Sequence, residues 1–177
     1  KYLWWIDLTQ DINTMSFFRF GTGMSSDGDN GCAAFYGTEG AFSNLRSGKI
    51  NMSDVKKPQM SYDYYLSSDL SMYASLAVEY STDLVTWTEI DRLDYETLDE
   101  PDGEEWRTHD IDLSSLAQLP CVYLRLHAEV ADDNSAVLVD NIRIEDGVVD
   151  NINNVRKSSV QPSSSTVYSI TGQRVAP

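Results

Sequence analysis

Aspartates on alternate residues of a glycine-containing loop are the first candidates for chemistry. The loop Asp27–Gly31 reads Asp-Gly-Asp-Asn-Gly, and calcium prefers oxygen ligands of this kind. An EF-hand needs oxygen ligands at loop positions 1, 3 and 5 and glycine at position 6. This loop has Gly31 at position 5 and Cys32 at position 6. We therefore interpret it as a tight acidic turn, and the acidic stretch 99–105 as a solvated turn.

The residues needed for nucleophilic catalysis are poorly represented. His109 and His127 are the only histidines, and no Gly-x-Ser-x-Gly elbow occurs. The alternation around each histidine predicts that both lie on outward faces. Cys32 and Cys121 each lie in an apolar run, which predicts buried free thiols, with a single disulfide bond between them as the alternative.

The run Glu89-Ile90-Asp91 could supply carboxylates for glycoside hydrolysis. A retaining glycosidase needs two carboxyl groups about 5–5.5 Å apart. The positions four and five residues after Glu89 hold Leu93 and Asp94, where such a β-sandwich enzyme would carry its second glutamate. We therefore interpret the run as part of an ordinary strand and keep a β-sandwich glycosidase as the least favoured function.

Aromatic side chains could form a platform for sugars, because a ring stacks on the apolar face of a pyranose. Adjacent residues of a strand face opposite ways, so one ring of each neighbouring aromatic pair should point outward. Packing in the core or across strands is the competing interpretation for most of these rings. The chain offers Trp4, Trp5, Tyr62, Tyr64, Tyr65, Trp87, Tyr95 and Trp106, of which Trp4, Trp5, Tyr64, Tyr65 and Trp106 are our predicted ligand-binding residues.

The composition limits the class of partner. The 177 residues carry a formal net charge of −15, so phosphate backbones and anionic lipid are unfavourable partners. Neutral sugars, cationic partners and calcium remain compatible with this charge. No run approaches the ~20 apolar residues of a membrane span. The segment that begins at Lys1 already has a strand pattern, so we expect any signal peptide to lie outside this chain.

Period-2 alternation predicts an all-β fold. In Cys121–Glu129 the apolar residues Val122, Leu124, Leu126 and Ala128 alternate with polar or aromatic ones. About ten such runs, separated by Gly, Asn, Asp and Ser clusters, are typical of a β-sandwich or barrel. We expect the sandwich to span residues 1–147.

The strand Val137–Glu145 changes phase within its own length. Val137 and Val139 are apolar at odd positions, whereas Ile142 and Ile144 are apolar at even positions. Because a shift of one residue moves every side chain to the opposite face, the strand needs a bulge near Asp140, or cover on both faces.

The composition changes after Gly147. Residues 148–165 are rich in Asn and Ser and end in Gln-Pro-Ser-Ser-Ser, which predicts a linker. A short hairpin-like pattern resumes in residues 166–177.

Eight short runs follow one another within about residues 31–147: Ala34–Gly37, Leu45–Ile50, Lys57–Tyr62, Leu76–Asp83, Trp87–Ile90, Trp106–Thr108, Ile111–Ser114 and Val139–Ile144. Their order resembles that of the MAM-like jelly-roll domains of exported Bacteroidetes proteins, which include cleaved-adhesin domains. The resemblance implies an antiparallel jelly roll, galactose-binding-like or concanavalin-like, in a secreted or cell-surface protein. Residues 151–155 and 167–173 also resemble the start of a C-terminal type IX sorting region.

Related jelly rolls often hold a structural calcium ion between the last strand and the N-terminal strand. The resemblance implies Asp140 as one ligand. The early strand offers Asp7 and Asp11 as partners, of which we select Asp7, and a ligand upstream of Lys1 is the alternative. A carboxylate that satisfies backbone donors at a bulge is the alternative for Asp140.

Together these patterns predict a non-catalytic adhesion or accessory binding module. A carbohydrate-binding module is the alternative, and a glycan or a host or cell-surface protein is the expected partner. Nucleic acid and membrane insertion are not expected.

Overall fold

The computed structural model describes most of the chain up to residue 147. The described residues are 4–6, 18–20, 25–29, 31–36, 39–65, 74–94, 105–130, 136–147, 167–168 and 174–175. For 18–20, 167–168 and 174–175 only the backbone pairing is described.

Ten strands form two five-stranded sheets in which every pairing is antiparallel. Sheet A has the order β1 (Trp4–Ile6), β4 (Phe42–Ser47), β9 (Tyr123–Val130), β6 (Ala74–Ser81), β7 (Thr88–Leu93). Sheet B has the order β2 (Phe18–Phe20), β3 (Cys32–Tyr36), β10 (Ala136–Asp146), β5 (Pro58–Tyr65), β8 (Arg107–Asp112). The predicted antiparallel jelly-roll sandwich is confirmed.

Three short elements of the described residues lie outside the two sandwich sheets. Strands β11 (Val167–Tyr168) and β12 (Arg174–Val175) pair with each other in a sheet of their own. The 3₁₀ turn Ser114–Leu116 buries Leu116 against the core. Within the described residues, no helix has the length and apolar character needed to cross a membrane.

The inner faces of the two sheets share one hydrophobic core. On β9, Leu124, Leu126 and Ala128 are fully buried, as their alternation predicts. They pair across the sheet with inward residues of β6, because Leu76 lies opposite Ala128 and Val78 lies opposite Leu126. Area burial of this kind is the dominant stabilising term for a sandwich of this size.

The two cysteines lie in different parts of the fold, and both are free. Cys32 is buried on β3 of sheet B, and burial together with the charge of Asp140 raises the pKa of its thiol to about 11. Cys121 is half-buried just before β9 of sheet A, with its Sγ 3.7 Å from the carbonyl oxygen of Thr82. The free-thiol interpretation is therefore confirmed over the disulfide alternative.

A matched pair of valines tests the shared core. Val78 is fully buried, whereas Val85 is 82% exposed at the β6–β7 turn. Val78→Ala is expected to lower the free energy of unfolding by about 1–3 kcal/mol, because the change leaves a cavity between the sheets. Val85→Ala should change it by less than about 0.5 kcal/mol. Urea unfolding of both variants measures the difference, and equal losses would contradict the assignment of the inner face.

Candidate functional site

Strand β10 contains the bulge that its phase change predicts. Its register against β5 runs regularly to the pair Asp140–Asp63 and resumes at the pair Arg143–Ser61. Asn141 has φ 49°, a left-handed conformation that asparagine tolerates better than most residues. The bulge therefore lets Val139 face the core while Ile142, three residues later, also packs against it.

The bulge is tied to the loop at residues 25–29 by direct hydrogen bonds. The backbone N–H of Ser26 donates to Oδ2 of Asp140 at 3.0 Å. The side-chain amide of Asn141 donates to Oγ of Ser26 at 2.8 Å and to Oδ2 of Asp63 at 3.0 Å. The loop, β5 and β10 are far apart in the chain. These hydrogen bonds bring them together at the bulge.

Asp63 accepts three side-chain hydrogen bonds beside the bulge. Burial opposes its ionisation, but hydroxyl hydrogen bonds from Ser26 and Thr108, both 2.6 Å, the amide of Asn141 and the charge of Arg143 together hold its pKa below the usual value. Because the folded-state pKa is depressed, Asp63 contributes stability at neutral pH that is lost as the pH falls through that pKa.

Three carboxylates converge beside the bulge. Side-chain oxygens of Asp27, Asp29 and Asp140 all lie within 4.8 Å of one another. Such hard oxygen donors suit calcium, which takes six to eight oxygens and would add backbone carbonyls or water to these three. The sequence predicted Asp140 for this role, whereas its predicted partner Asp7 lies outside the described residues. Asp27 and Asp29 belong to the loop interpreted above as a tight acidic turn, because its spacing does not fit an EF-hand.

The five predicted ligand-binding aromatics do not form one platform. Trp4 packs against the shared core, and Tyr64 is buried on the inner face of sheet B. Tyr65 and Trp106 contact each other with ring centroids 5.7 Å apart and ring planes tilted by 60°. Both pack on a second apolar cluster, formed by Cys32, Ala34, Ala136 and Leu138.

Trp5 lies on the outer face of sheet A and is 42% exposed. It pairs with Arg46 of β4, whose guanidinium carbon lies 5.2 Å from the indole centroid. On the same face, the guanidinium carbon of Arg125 lies 4.3 Å from the ring centroid of Trp87. Trp87 is one of the aromatic residues that the sequence offers, but it is not among the five predicted ligand-binding residues.

Ion pairs and hydrogen bonds connect the remaining polar residues of this outer face. Arg125 pairs with Glu79 of the neighbouring strand β6, and both side chains are largely buried. His127 lies outward as predicted, with Nδ1 2.6 Å from Oδ1 of Asn44 and Nε2 3.1 Å from Oε1 of Glu129. At the β7 edge, Arg92 pairs with Glu89 at 2.7 Å.

The predicted outward orientation of His109 is wrong. His109 lies opposite Tyr62 in the β5–β8 ladder, on the inner face, with its ring centroid 5.6 Å from that of Tyr62. Its Nε2 lies 2.7 Å from Oδ2 of Asp91 on β7, so it links the edge strands of the two sheets. Polar residues are tolerated on the inner face here because both strands end their sheets at the margin of the sandwich.

A cleft of about 450 Å³ lies over strands β5, β8 and β10 of sheet B, lined in part by Asp110, Asp112 and Glu145. All three carboxylates are exposed. The hydroxyl and then the backbone N–H of Ser114 bond to Asp112 and lower its pKa. A general acid needs a raised pKa, so Asp112 is poorly suited to that role.

The fold and this distribution of residues define a jelly-roll sandwich with two chemically different outer faces. No protein-family model matches the chain, and no curated protein matches it. Among solved structures, it is similar to the K1 cleaved adhesin domain of Lys-gingipain from Porphyromonas gingivalis W83. The two share 14% identity with a TM-score of 0.61, over 82% of this chain and 91% of that chain.

Two further solved structures share the fold. The carbohydrate-binding module CBM27-1 of Caldicellulosiruptor saccharolyticus, in complex with mannohexaose, shows 8% identity and a TM-score of 0.55, over 81% of this chain and 90% of that one. The glycoside hydrolase domain structure of Endo-D from Streptococcus pneumoniae R6 shows 18% identity and a TM-score of 0.52, over 81% of this chain and 22% of that one. Identities this low establish the fold alone.

Two substitutions at the bulge separate its backbone conformation from its side-chain bonds. Asn141→Ala is expected to lower the free energy of unfolding by about 2 kcal/mol, because alanine is strained at positive φ and lacks the amide donors. Asn141→Gly also lacks the donors but accepts positive φ, so it should recover about 1 kcal/mol relative to alanine. Urea unfolding gives both values. A glycine variant no more stable than the alanine variant would contradict a left-handed Asn141.

Proposed function

We propose that this chain is a non-catalytic adhesion or accessory binding module of an exported bacterial protein. The observation that carries the proposal is the outer face of sheet A, where exposed Trp5 lies in an ordered network of polar side chains. Solvent-exposed aromatic rings held by fixed neighbours suit reversible recognition, since little side-chain freedom remains to be lost on binding. The exposed carboxylates of the sheet B cleft offer no comparable arrangement for catalysis.

Carbohydrate binding is the second candidate. Trp5 and Trp87 on sheet A offer aromatic surface beside guanidinium and carboxylate groups, which suits a ligand with an apolar face and a rim of hydroxyls. The similarity to a carbohydrate-binding module in complex with mannohexaose supports this candidate at the level of fold. The tilted pair Tyr65 and Trp106 on sheet B would be a competing binding surface.

An extracellular location follows from the same proposal. The neighbouring cleaved adhesin domain supports it, as does the sequence resemblance to MAM-like domains of exported Bacteroidetes proteins. In this account residues 148–165 act as a linker, and residues 166–177 would begin a sorting region for type IX secretion.

The same proposal gives calcium a structural role beside the bulge. Asp27, Asp29 and Asp140 would hold the ion, and Ser26 and Asn141 would position the loop against β10. The bound ion would neutralise three converging carboxylates and fix the loop at residues 25–29 on sheet B.

The binding function is tested by offering the protein immobilised glycans and cell-surface proteins, with and without calcium, while reducing ends are assayed in the supernatant. We expect retention on at least one surface without the release of reducing ends. Retention on no surface would contradict the binding function. Reducing ends released by wild type, and not by Asp112→Asn, would show catalysis instead.

The calcium proposal is tested by thermal unfolding of the chelated protein with added CaCl₂. Binding at a hundredfold excess over Kd stabilises by about 2.7 kcal/mol, which corresponds to an increase in Tm of about 5–10 °C. Asp140→Asn should abolish this increase, because the substitution removes a central carboxylate. Asp110→Asn, on exposed β8, is the matched control and should keep it. An equal increase in both variants would contradict the site.

A further inference from the structure

Two tryptophan–arginine stacks lie side by side on the outer face of sheet A. Arg46 of β4 and Arg125 of β9 are directly opposite each other in the antiparallel ladder. Arg46 contacts the ring of Trp5, and Arg125 contacts the ring of Trp87. These four side chains form a continuous line, here called the Trp–Arg row.

The pairing of two arginines is not what strand pairing alone favours. Like charges directly opposite each other in a ladder repel, and the chain has only 13 basic residues against 28 acidic ones. The rings of Trp5 and Trp87 and the carboxylate of Glu79 offset the repulsion by stacking and ion pairing. The surface therefore holds two planar guanidiniums between two indoles, in fixed positions and at some cost to the sheet.

We propose that the Trp–Arg row binds a neutral oligosaccharide lying across sheet A, an inference that rests on the proposed binding function. Each pyranose has apolar C–H faces that pack on indole rings, and hydroxyl groups that bond to planar guanidinium and carboxylate groups. The row supplies both kinds of contact, with an indole at each end and the two guanidiniums between them. Neighbouring strands lie about 4.8 Å apart, so a ligand crossing all five strands would extend about 19 Å. That length suits an oligosaccharide better than a single sugar.

The charge of this face selects against an acidic ligand. Within its five strands the outward charges balance, with Arg46, Arg92 and Arg125 on one side and Glu79, Glu89 and Glu129 on the other. Asp94, just after β7, adds a negative charge that acts on Arg92. The chain as a whole carries −15, so sulfated or uronate-rich chains are repelled at longer range. A neutral ligand avoids this repulsion and can use both guanidiniums and carboxylates as hydrogen-bonding partners.

A protein partner would also find tryptophan and arginine favourable, because both are enriched at binding hot spots. Protein hot spots, however, are fully desolvated and largely apolar at their centre. Here the centre of the face is a polar network with Arg125 and Glu79 in its middle. We therefore assign the face to a sugar, and protein binding is an outcome of the test.

The test is a titration with hexaoses of β-1,4-linked galactose, mannose and glucose, and with a hexaose of galacturonic acid, measured by calorimetry. Wild type is expected to bind at least one neutral hexaose more tightly than the acidic one. Trp5→Ala and Trp87→Ala should each weaken binding about tenfold, as expected for loss of one anchoring side chain. Asp110→Asn, on the outer face of sheet B, should leave the Kd unchanged.

Two further variants distinguish a loss of binding from a loss of folding, and binding on sheet A from binding on sheet B. Far-UV circular dichroism and Tm establish that each variant is folded. Arg125→Lys keeps the charge but not the planar donor, and should weaken binding about fivefold even if an alanine variant unfolds. Trp106→Ala removes the competing binding surface on sheet B.

Failure of this inference differs from failure of the binding function. Unchanged affinity in Trp5→Ala, Trp87→Ala and Arg125→Lys would overturn the Trp–Arg row and leave the binding function in place. So would loss of binding only in Trp106→Ala, a preference for galacturonate, or retention on a protein without affinity for any hexaose. Absence of retention on every glycan and protein surface would overturn both.

Discussion

The burial of two inner sheet faces against each other is the constraint on which the rest of this structure depends. Strand β9 buries alternate residues, such as Leu124 and Leu126, in the core. The residues between them must therefore lie on the outer face of the sheet. Which side chains lie on the outer faces therefore depends on which alternate residues of each strand face the core. Strand β10 changes phase through a bulge that turns Asp140 and Asn141 toward the loop at residues 25–29. The register between β6 and β7 also shifts, between the pairs of Val78 and Glu79.

The two outer faces have different chemistry as a result. Sheet B carries an apolar cluster beneath Tyr65 and Trp106, with hydrogen-bonded carboxylates at the bulge nearby. These features stabilise the fold, because the cluster buries small apolar side chains and the hydrogen bonds hold the loop at residues 25–29. Sheet A carries a network of balanced charges with an exposed indole. The proposed binding function therefore lies on sheet A, and the proposed structural calcium lies on sheet B.

Local alternation predicted much of this fold, because burial on a pleated strand has a period of two. It predicted the buried residues of β9, and the phase change in Val137–Glu145 predicted the bulge. Alternation also required Trp4 and Trp5 to face opposite ways, but the pattern of that short strand alone did not say which of the two faced outward. The structure resolves this through the pairing of Trp5 with outward Arg46.

The features that the sequence did not predict depend on contacts between distant segments, which local patterns do not encode. Asp27 lies more than a hundred residues from Asp140, so only the folded loop shows their approach. His109 was misplaced because a polar residue on an edge strand can face inward when it finds a partner on the other sheet, here Asp91. The approach of Trp87 to Arg125 likewise crosses strand β6.

The most direct measurement is a nitrogen–proton correlation spectrum, recorded as the protein is titrated with the neutral hexaose that it binds best. The indole N–H signals of Trp5 and Trp87 report on sheet A, and that of Trp106 reports on sheet B. A ligand on the Trp–Arg row shifts the signals of Trp5 and Trp87 in a saturable manner and leaves that of Trp106 in place. A saturable shift of Trp106, with Trp5 and Trp87 unchanged, would contradict this account of the binding face.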